Sequence, residues 1–215
     1  MNRTWTPYIL LLSLAVPAVA QWISIEPDSV PAGTNISQAF AGVALNTVNS
    51  DQGAADVFAV VPRVPAWASS GALVFGHVAP YAEHWAGDTD PGFRHGSLRV
   101  LFVTPATGVR VDFVGNDVSD YGLLQVYSPE RQLLQSLETD LLGEGSIQTL
   151  SASDVGEIGY IIAGGMAHDT VCLDNIWYIP EPGGAGLLLI VLAAECRSAV
   201  GRRLRVHRLR VRRVA

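Results

Sequence analysis

Between residues 21 and 180 the apolar positions recur with a period of two. Leu98, Val100 and Phe102 alternate with Arg99, and Val109, Val111 and Phe113 alternate with Arg110 and Asp112. Successive side chains of an extended chain point to opposite faces, so this spacing buries one face of each segment and leaves the other toward solvent. The pattern predicts short strands over 57–61, 72–75, 98–104, 109–114, 123–127, 133–138, 147–150, 158–163 and 171–178, separated by turn-forming Gly, Pro, Asn and Asp. The middle of the chain shows no amphipathic helix of convincing length. Half-buried antiparallel strands need a second layer, and their regular spacing predicts an all-β fold, a jelly-roll type β-sandwich, as a single domain over 21–179.

Composition narrows the class. A chain of 215 residues with 49% apolar and 16% charged side chains buries a sizeable core, which excludes intrinsic disorder. Its 21 Gly and 12 Pro follow no collagen or linker period and fit many turns between strands. All 14 basic residues are Arg, and eight of them lie between Arg197 and Arg213. Residues 21–180 carry five Arg against 18 Asp and Glu, so the middle is strongly acidic and is not expected to bind nucleic acid.

The two ends have a different character. Residues 1–20 combine Arg3, an apolar run from Tyr8 to Val16 and the small residues Ala18 and Ala20 ahead of Gln21, the signature of a signal helix cleaved after Ala20 by the secretion machinery. At the other end, Pro180-Glu181-Pro182 precedes an uncharged apolar run from Gly183 to Ala194 and an Arg-rich tail. As a helix that run rises about 18 Å, against a hydrocarbon core of about 30 Å. Extending it to Val200 takes in Glu195 and Arg197, each costing about 2 to 3.5 kcal/mol near the bilayer centre. Such marginal insertion suits a sorting signal better than a permanent anchor. Pro180 and Pro182 keep the approach to the membrane extended.

This order of features over 180–215 resembles the PEP-CTERM sorting signal of exported bacterial proteins. The resemblance implies that Pro180, Glu181 and Pro182, with Arg202 and Arg203 in the basic stop, are handled by an integral-membrane cysteine protease of the exosortase class. It also implies membrane attachment through a C-terminal apolar sorting helix, at least before processing, and delivery to the cell envelope, surface or extracellular matrix. The stretch Val109 to Asp117, then Asp120-Tyr121-Gly122 leading into Leu123, Val126 and Tyr127, with Ile158-Gly159-Tyr160 and Leu173-Asp174-Asn175-Ile176, resembles a carbohydrate-binding-module jelly roll found in PEP-CTERM proteins. Phe40-Ala41-Gly42-Val43 fits its start. In the turn Ser128-Pro129-Glu130-Arg131, Arg stands where that pattern usually has Gly; if the position needs positive φ, Arg costs about 1 kcal/mol.

The sequence holds no Gly-x-Ser-x-Gly elbow, no phosphate-cradling glycine loop and no His-Glu-x-x-His helix. His77, His84 and His95 lie near Glu83, Asp88 and Asp90, either as a metal site or as structural and solvated histidines; their spacing matches no ligand pattern. Asn116, Asp117 and Asp120, and likewise Asp88 and Asp90 beside Gly87 and Gly92, offer hard oxygen ligands for calcium, although Asp and Asn also form turns by bonding nearby backbone. Asp174 sits in an apolar strand, where an unpaired carboxylate is costly. The module resemblance implies that it helps to hold a structural calcium, while an Arg partner or backbone hydrogen bonds serve equally well. Trp85 with Glu83 and Asp88 is the candidate sugar site, because flat rings stack on sugar C–H faces and acids bond hydroxyls; the alternative is that these aromatics cover a core edge. Cys172 reads as a buried structural thiol or, alternatively, an intermolecular disulfide, with Cys196 beyond the processing site. The expected protein is exported and non-catalytic and associates with exopolysaccharide or biofilm matrix, the alternatives being a metal-assisted glycan hydrolase and a protein-binding adhesin.

Overall fold

A computed structural model describes residues 21–48, 54–77, 82–87, 96–167 and 169–181. The signal segment, the apolar C-terminal run and the Arg-rich tail therefore lie outside the described residues. The described chain is nearly all β, with ten strands: β1 (Ile23–Ile25), β2 (Val43–Val48), β3 (Val57–Val60), β4 (Val74–His77), β5 (Trp85–Ala86), β6 (Ser97–Gly115), β7 (Gly122–Tyr127), β8 (Leu133–Glu138), β9 (Ile147–Gly165) and β10 (Thr170–Pro180). Two single-turn 3₁₀ helices, Pro27–Ser29 and Pro65–Trp67, each start on a proline, whose fixed φ suits a first helical position.

Every predicted strand overlaps an observed one, and two pairs of them fuse. Residues 98–104 and 109–114 are both part of β6, and 147–150 and 158–163 are both part of β9, each strand running for 19 residues. Pro105 and Gly108 in β6, and Asp154 and Gly156 in β9, read as turns in the sequence. They mark a corner instead. The β6–β9 register slips between Leu101 and Ala106 and again between Ala106 and Gly108, and Asp154 and Gly156 take positive φ of 59° and 99°. Bulges bend a paired strand without ending it, and glycine and proline gather where they occur.

The corner gives the main sheet two wings. Before it, the first half of β6 pairs with β2, and the second half of β9 pairs with β7, which in turn pairs with β8. Beyond it, the second half of β6 pairs with β10, whose other edge carries β1 and β5. β3 and β4 form a separate hairpin-like pair. Val100, Phe102, Leu124 and Ile161 from one wing and Val111, Phe113, Leu173 and Ile176 from the other belong to a single buried cluster, with Val57, Ala59 and Phe75 from the small sheet. One shared core between two wings is a sandwich-like arrangement. Burying each such Leu, Ile or Phe contributes about 1.5–3 kcal/mol. The last strand runs to Pro180, and the Glu181 N–H donates to the Pro105 carbonyl at 2.9 Å, so the Pro-Glu-Pro segment starts where the sheet stops.

Candidate functional site

The sugar site expected around Trp85 is overturned for its central residue. Trp85 is wholly buried. Its place in β5, against Val171 of β10, turns the indole inward, where Nε1 donates to the Phe75 carbonyl at 2.9 Å and the His77 ring meets it edge-on at 4.9 Å. A ring with no exposed face cannot stack a sugar. Glu83 is also buried and accepts from Arg63 Nε at 2.8 Å. Burial pushes its carboxyl up, but the Arg63 bond and the nearby His84 hold it below the usual carboxylate range. His77 bonds the His84 carbonyl through Nε2 at 2.8 Å, and burial lowers its pKa. These residues tie the loop before β5 to the core. Asp88, Asp90 and His95 lie outside the described residues.

The acids singled out for calcium do not gather into one centre, because no group of three or more His, Cys, Asp and Glu able to hold a metal forms among the described residues. Their oxygens have nearer donors. Asp120 is buried, and its Oδ2 accepts the backbone N–H groups of Asn116 and Asp117 at 2.8 and 2.7 Å, closing the loop between β6 and β7. Asp117 caps the next residue in the same loop. Burial raises the Asp120 pKa. Asp174 is fully buried in β10. Its Oδ2 accepts from the Ser69 and Ser70 N–H groups at 2.7 and 2.9 Å and lies 2.9 Å from Ser69 Oγ, while Oδ1 accepts from Asn175 N–H at 2.8 Å. Of calcium, an Arg and backbone hydrogen bonds, the three kinds of partner expected for this carboxylate, backbone hydrogen bonds are present. The loop at Ser69 and Ser70 is thereby pinned to the bulge at Asn175. Burial raises the Asp174 pKa despite these bonds. Cys172 is a free, buried thiol on the same strand, and burial pushes its pKa far up.

The feature with binding geometry is elsewhere, on the outer face of the wing formed by β2, β6, β9, β7 and β8. There Leu101 of β6 stands opposite Tyr160 of β9, and Tyr160 stands opposite Tyr127 of β7. The two tyrosine rings stack with centroids 4.6 Å apart and planes within 5°. Tyr160, with Leu101, Arg99, Val103, Pro129 and Arg131 among its neighbours, lines an open cleft of about 550 Å³. Tyr127 backs the ring from the other side. Arg99 is steadied by its cross-strand neighbour, donating from Nε to Asn46 Oδ1 at 2.9 Å.

The far wall of the cleft is the β7–β8 turn, and local rules explain its shape. Ser128 Oγ accepts from the N–H groups of Glu130 and Gln132, and Arg131 N–H donates to the Ser128 carbonyl at 3.0 Å. That closure requires Arg131 to take φ of 68°, the left-handed region that favours glycine, so the condition under which Arg is costly at this position is met. The turn lies directly on Gly159, where an added Cβ would come within 2.6 Å of Pro129 Cα. Absence of a side chain at 159 therefore lets the turn close down beside Tyr160. Tyr160 and Gly159 stand in the sequence only as part of a strand motif. Nothing in it pairs Tyr160 with Tyr127, since their meeting depends on β7 pairing with β9.

No family model matches this chain, and no curated protein matches it. Among solved structures it is remotely similar to the N-terminal CBM22-1-GH10 modules of Clostridium thermocellum endo-1,4-beta-D-xylanase 10B complexed with xylohexaose, with TM-score 0.39 and 8% identity over 69% of this chain and 27% of that one. It is similar at TM-score 0.34 and 14% identity to TmCBM61 in complex with beta-1,4-galactotriose, over 74% of this chain and 88% of that one. A family 6 carbohydrate-binding module matches at TM-score 0.29 and 11% identity, over 74% and 94%. Likeness this remote establishes neither a family nor a ligand for the chain.

Proposed function

We propose that residues 21–179 form a non-catalytic polysaccharide-binding domain, with the Tyr160 cleft as its binding site. The observation that carries this reading is the ring of Tyr160, backed by Tyr127 at 4.6 Å and lining a cleft of about 550 Å³ with Arg99 beside it. Pyranose rings present apolar C–H faces that stack on flat aromatic surface, and a supported ring loses little entropy when it is used. Polar groups at the rim, Arg99 and the turn around Arg131, supply hydrogen bonds to hydroxyls, the usual division of labour in a ligand cleft. The lining offers guanidinium, phenol and apolar surface, chemistry for holding a sugar. The carboxyl pair of canonical glycoside hydrolysis is not in this lining among the described residues. Affinity electrophoresis through gels containing exopolysaccharide of the native host tests the reading. Tyr160→Ala is expected to weaken retention by about tenfold while costing only about 0.5–1.5 kcal/mol of stability from the lost ring pair with Tyr127, and unchanged retention would refute the site.

The domain is exported in this proposal. Residues 1–20 are removed after Ala20, with Ala18 and Ala20 read by the signal peptidase of the secretion machinery. The segment 180–215 attaches the chain to the membrane until an exosortase-type protease acts at Pro180, Glu181 and Pro182, with Arg202 and Arg203 in the cytoplasmic stop. Supporting this, the last strand ends on Pro180 and the Glu181 N–H makes the final bond back to the sheet among the described residues, so the tripeptide begins at the domain's edge. The intact mass of the protein from its native host decides: a species starting at Gln21 and ending near Pro180 is expected, and an uncut chain in the cytosol refutes export.

A further inference from the structure

The cleft is positively charged in a domain that is not. Residues 21–180 carry five Arg among 18 acids, yet two of those Arg, Arg99 and Arg131, line this one cleft, and among the described residues no carboxylate does. The other described arginines are occupied elsewhere: Arg63 pairs with Glu83, and Arg110 lies 4.1 Å over the Trp22 ring. Arg99 bonds the neutral amide of Asn46 through Nε, which fixes its side chain without cancelling its charge and leaves its terminal amino groups as donors. Arg131 takes part in no ion pair among the described residues. It holds a φ of 68° that glycine would adopt without strain. A strained, unpaired cation kept at the rim of a cleft is an outlier of the kind that marks a working site.

Building on the glycan-binding reading above, we propose that the cleft selects acidic polysaccharides, stacking a sugar ring on Tyr160 and binding the carboxylate of a uronate residue through Arg99 and Arg131. Guanidinium matches a carboxylate with two parallel charge-assisted hydrogen bonds, a geometry that hydroxyls do not exploit as strongly. The rest of the domain surface repels a polyanion, so a local pair of cations is what lets one dock, and docks it in one place.

The test uses polygalacturonate and alginate, each alongside its carboxyl-reduced, neutral form, in titrations with the native protein and three variants. The native protein is expected to bind at least one polyuronate about tenfold more tightly than its reduced form, with the difference shrinking as salt is raised. Arg99→Gln and Arg131→Gly should abolish that preference while retaining the weaker binding of the reduced polymer. Arg131→Gly should also raise the melting temperature, so its loss of binding is not a loss of fold. Equal affinity for charged and reduced polymers, or arginine variants that keep the preference, overturns acidic selectivity and leaves glycan binding standing. Tyr160→Ala binding every polymer as the native protein does overturns the glycan site itself. Binding to none of the four polymers overturns the present proposal.

Discussion

Asp112 stands directly opposite Asp174 in the β6–β10 ladder, and both carboxylates reach the one hydroxyl of Ser69, at 2.8 Å from Asp112 Oδ2 and 2.9 Å from Asp174 Oδ2. A serine hydroxyl has a single proton, and Asn175 Nδ2 at 3.1 Å already donates to its oxygen. One of the two short contacts therefore has no hydrogen in it unless a carboxyl group supplies one. Thr149 Oγ1, at 2.6 Å, donates to the other oxygen of Asp112.

The pH dependence of stability follows from that arrangement. Burial raises the folded-state pKa of Asp174 above its unfolded value, so the folded protein holds this proton more tightly than the unfolded chain. The resulting stability is fully present below the unfolded carboxylate pKa and is lost as pH rises through the folded one. Asp120, also raised by burial, acts in the same direction. Urea midpoints measured from acidic to neutral pH should show Asp174→Asn flattening this decline. The variant should also cost about 1–3 kcal/mol throughout, because its amide N–H₂ cannot accept from the donors now facing the carboxylate. A pH profile parallel to the native one would remove Asp174 as the source.

Arg131 and Gly159 shape the same turn with opposite energetic signs. Arg131→Gly relieves a positive φ of 68° and is expected to stabilise the domain by about 1 kcal/mol. Gly159→Ala drives a methyl group into Pro129, 2.6 Å away, and should destabilise by about 1–3 kcal/mol while weakening glycan retention through displacement of the turn. Thermal melts of the two variants, run beside affinity gels, check both directions.

Trp85 is a core residue, so Trp85→Phe should leave glycan binding intact. It strands the Phe75 carbonyl that Nε1 now bonds at 2.9 Å, and a loss of about 1–3 kcal/mol is expected from equilibrium unfolding. Lost glycan binding with unchanged stability would reverse the assignment of this residue.

Cys172 is fully buried, and its pKa is raised by that burial. Thiolate is the reactive form, so in a Cys196→Ser background a thiol reagent should find nothing to label in native buffer and one equivalent after denaturation. Rapid native labelling would show that β10 opens far more easily than its burial implies.

Several of these features are legible in the amino-acid sequence. The alternation at Leu98, Val100 and Phe102 marks a strand wherever it occurs, and the need of Asp174 for a partner follows from a carboxylate set among apolar neighbours. β2 escapes a periodicity reading although Val43, Leu45 and Thr47 alternate inward, because Gly, Ala and Asn around them weaken the signal. The two-residue β5 is too short for any period to show. Trp85 misleads because an aromatic flanked by acids looks the same in sequence whether its ring covers a core or faces solvent.

The sequence by itself determined an acidic, all-β domain with one core, and the left-handed conformation expected of Arg131 if its position required positive φ. These are properties of alternation, composition and single-residue sterics, which act over a few neighbours along the chain. Only the tertiary structure decided that the breaks at Pro105 and Gly156 bend two long strands together rather than end them, and that Tyr127 and Tyr160 stack beside two arginines. Strand pairing joins residues far apart in the chain, and which partners meet depends on how the whole sheet closes over its shared core.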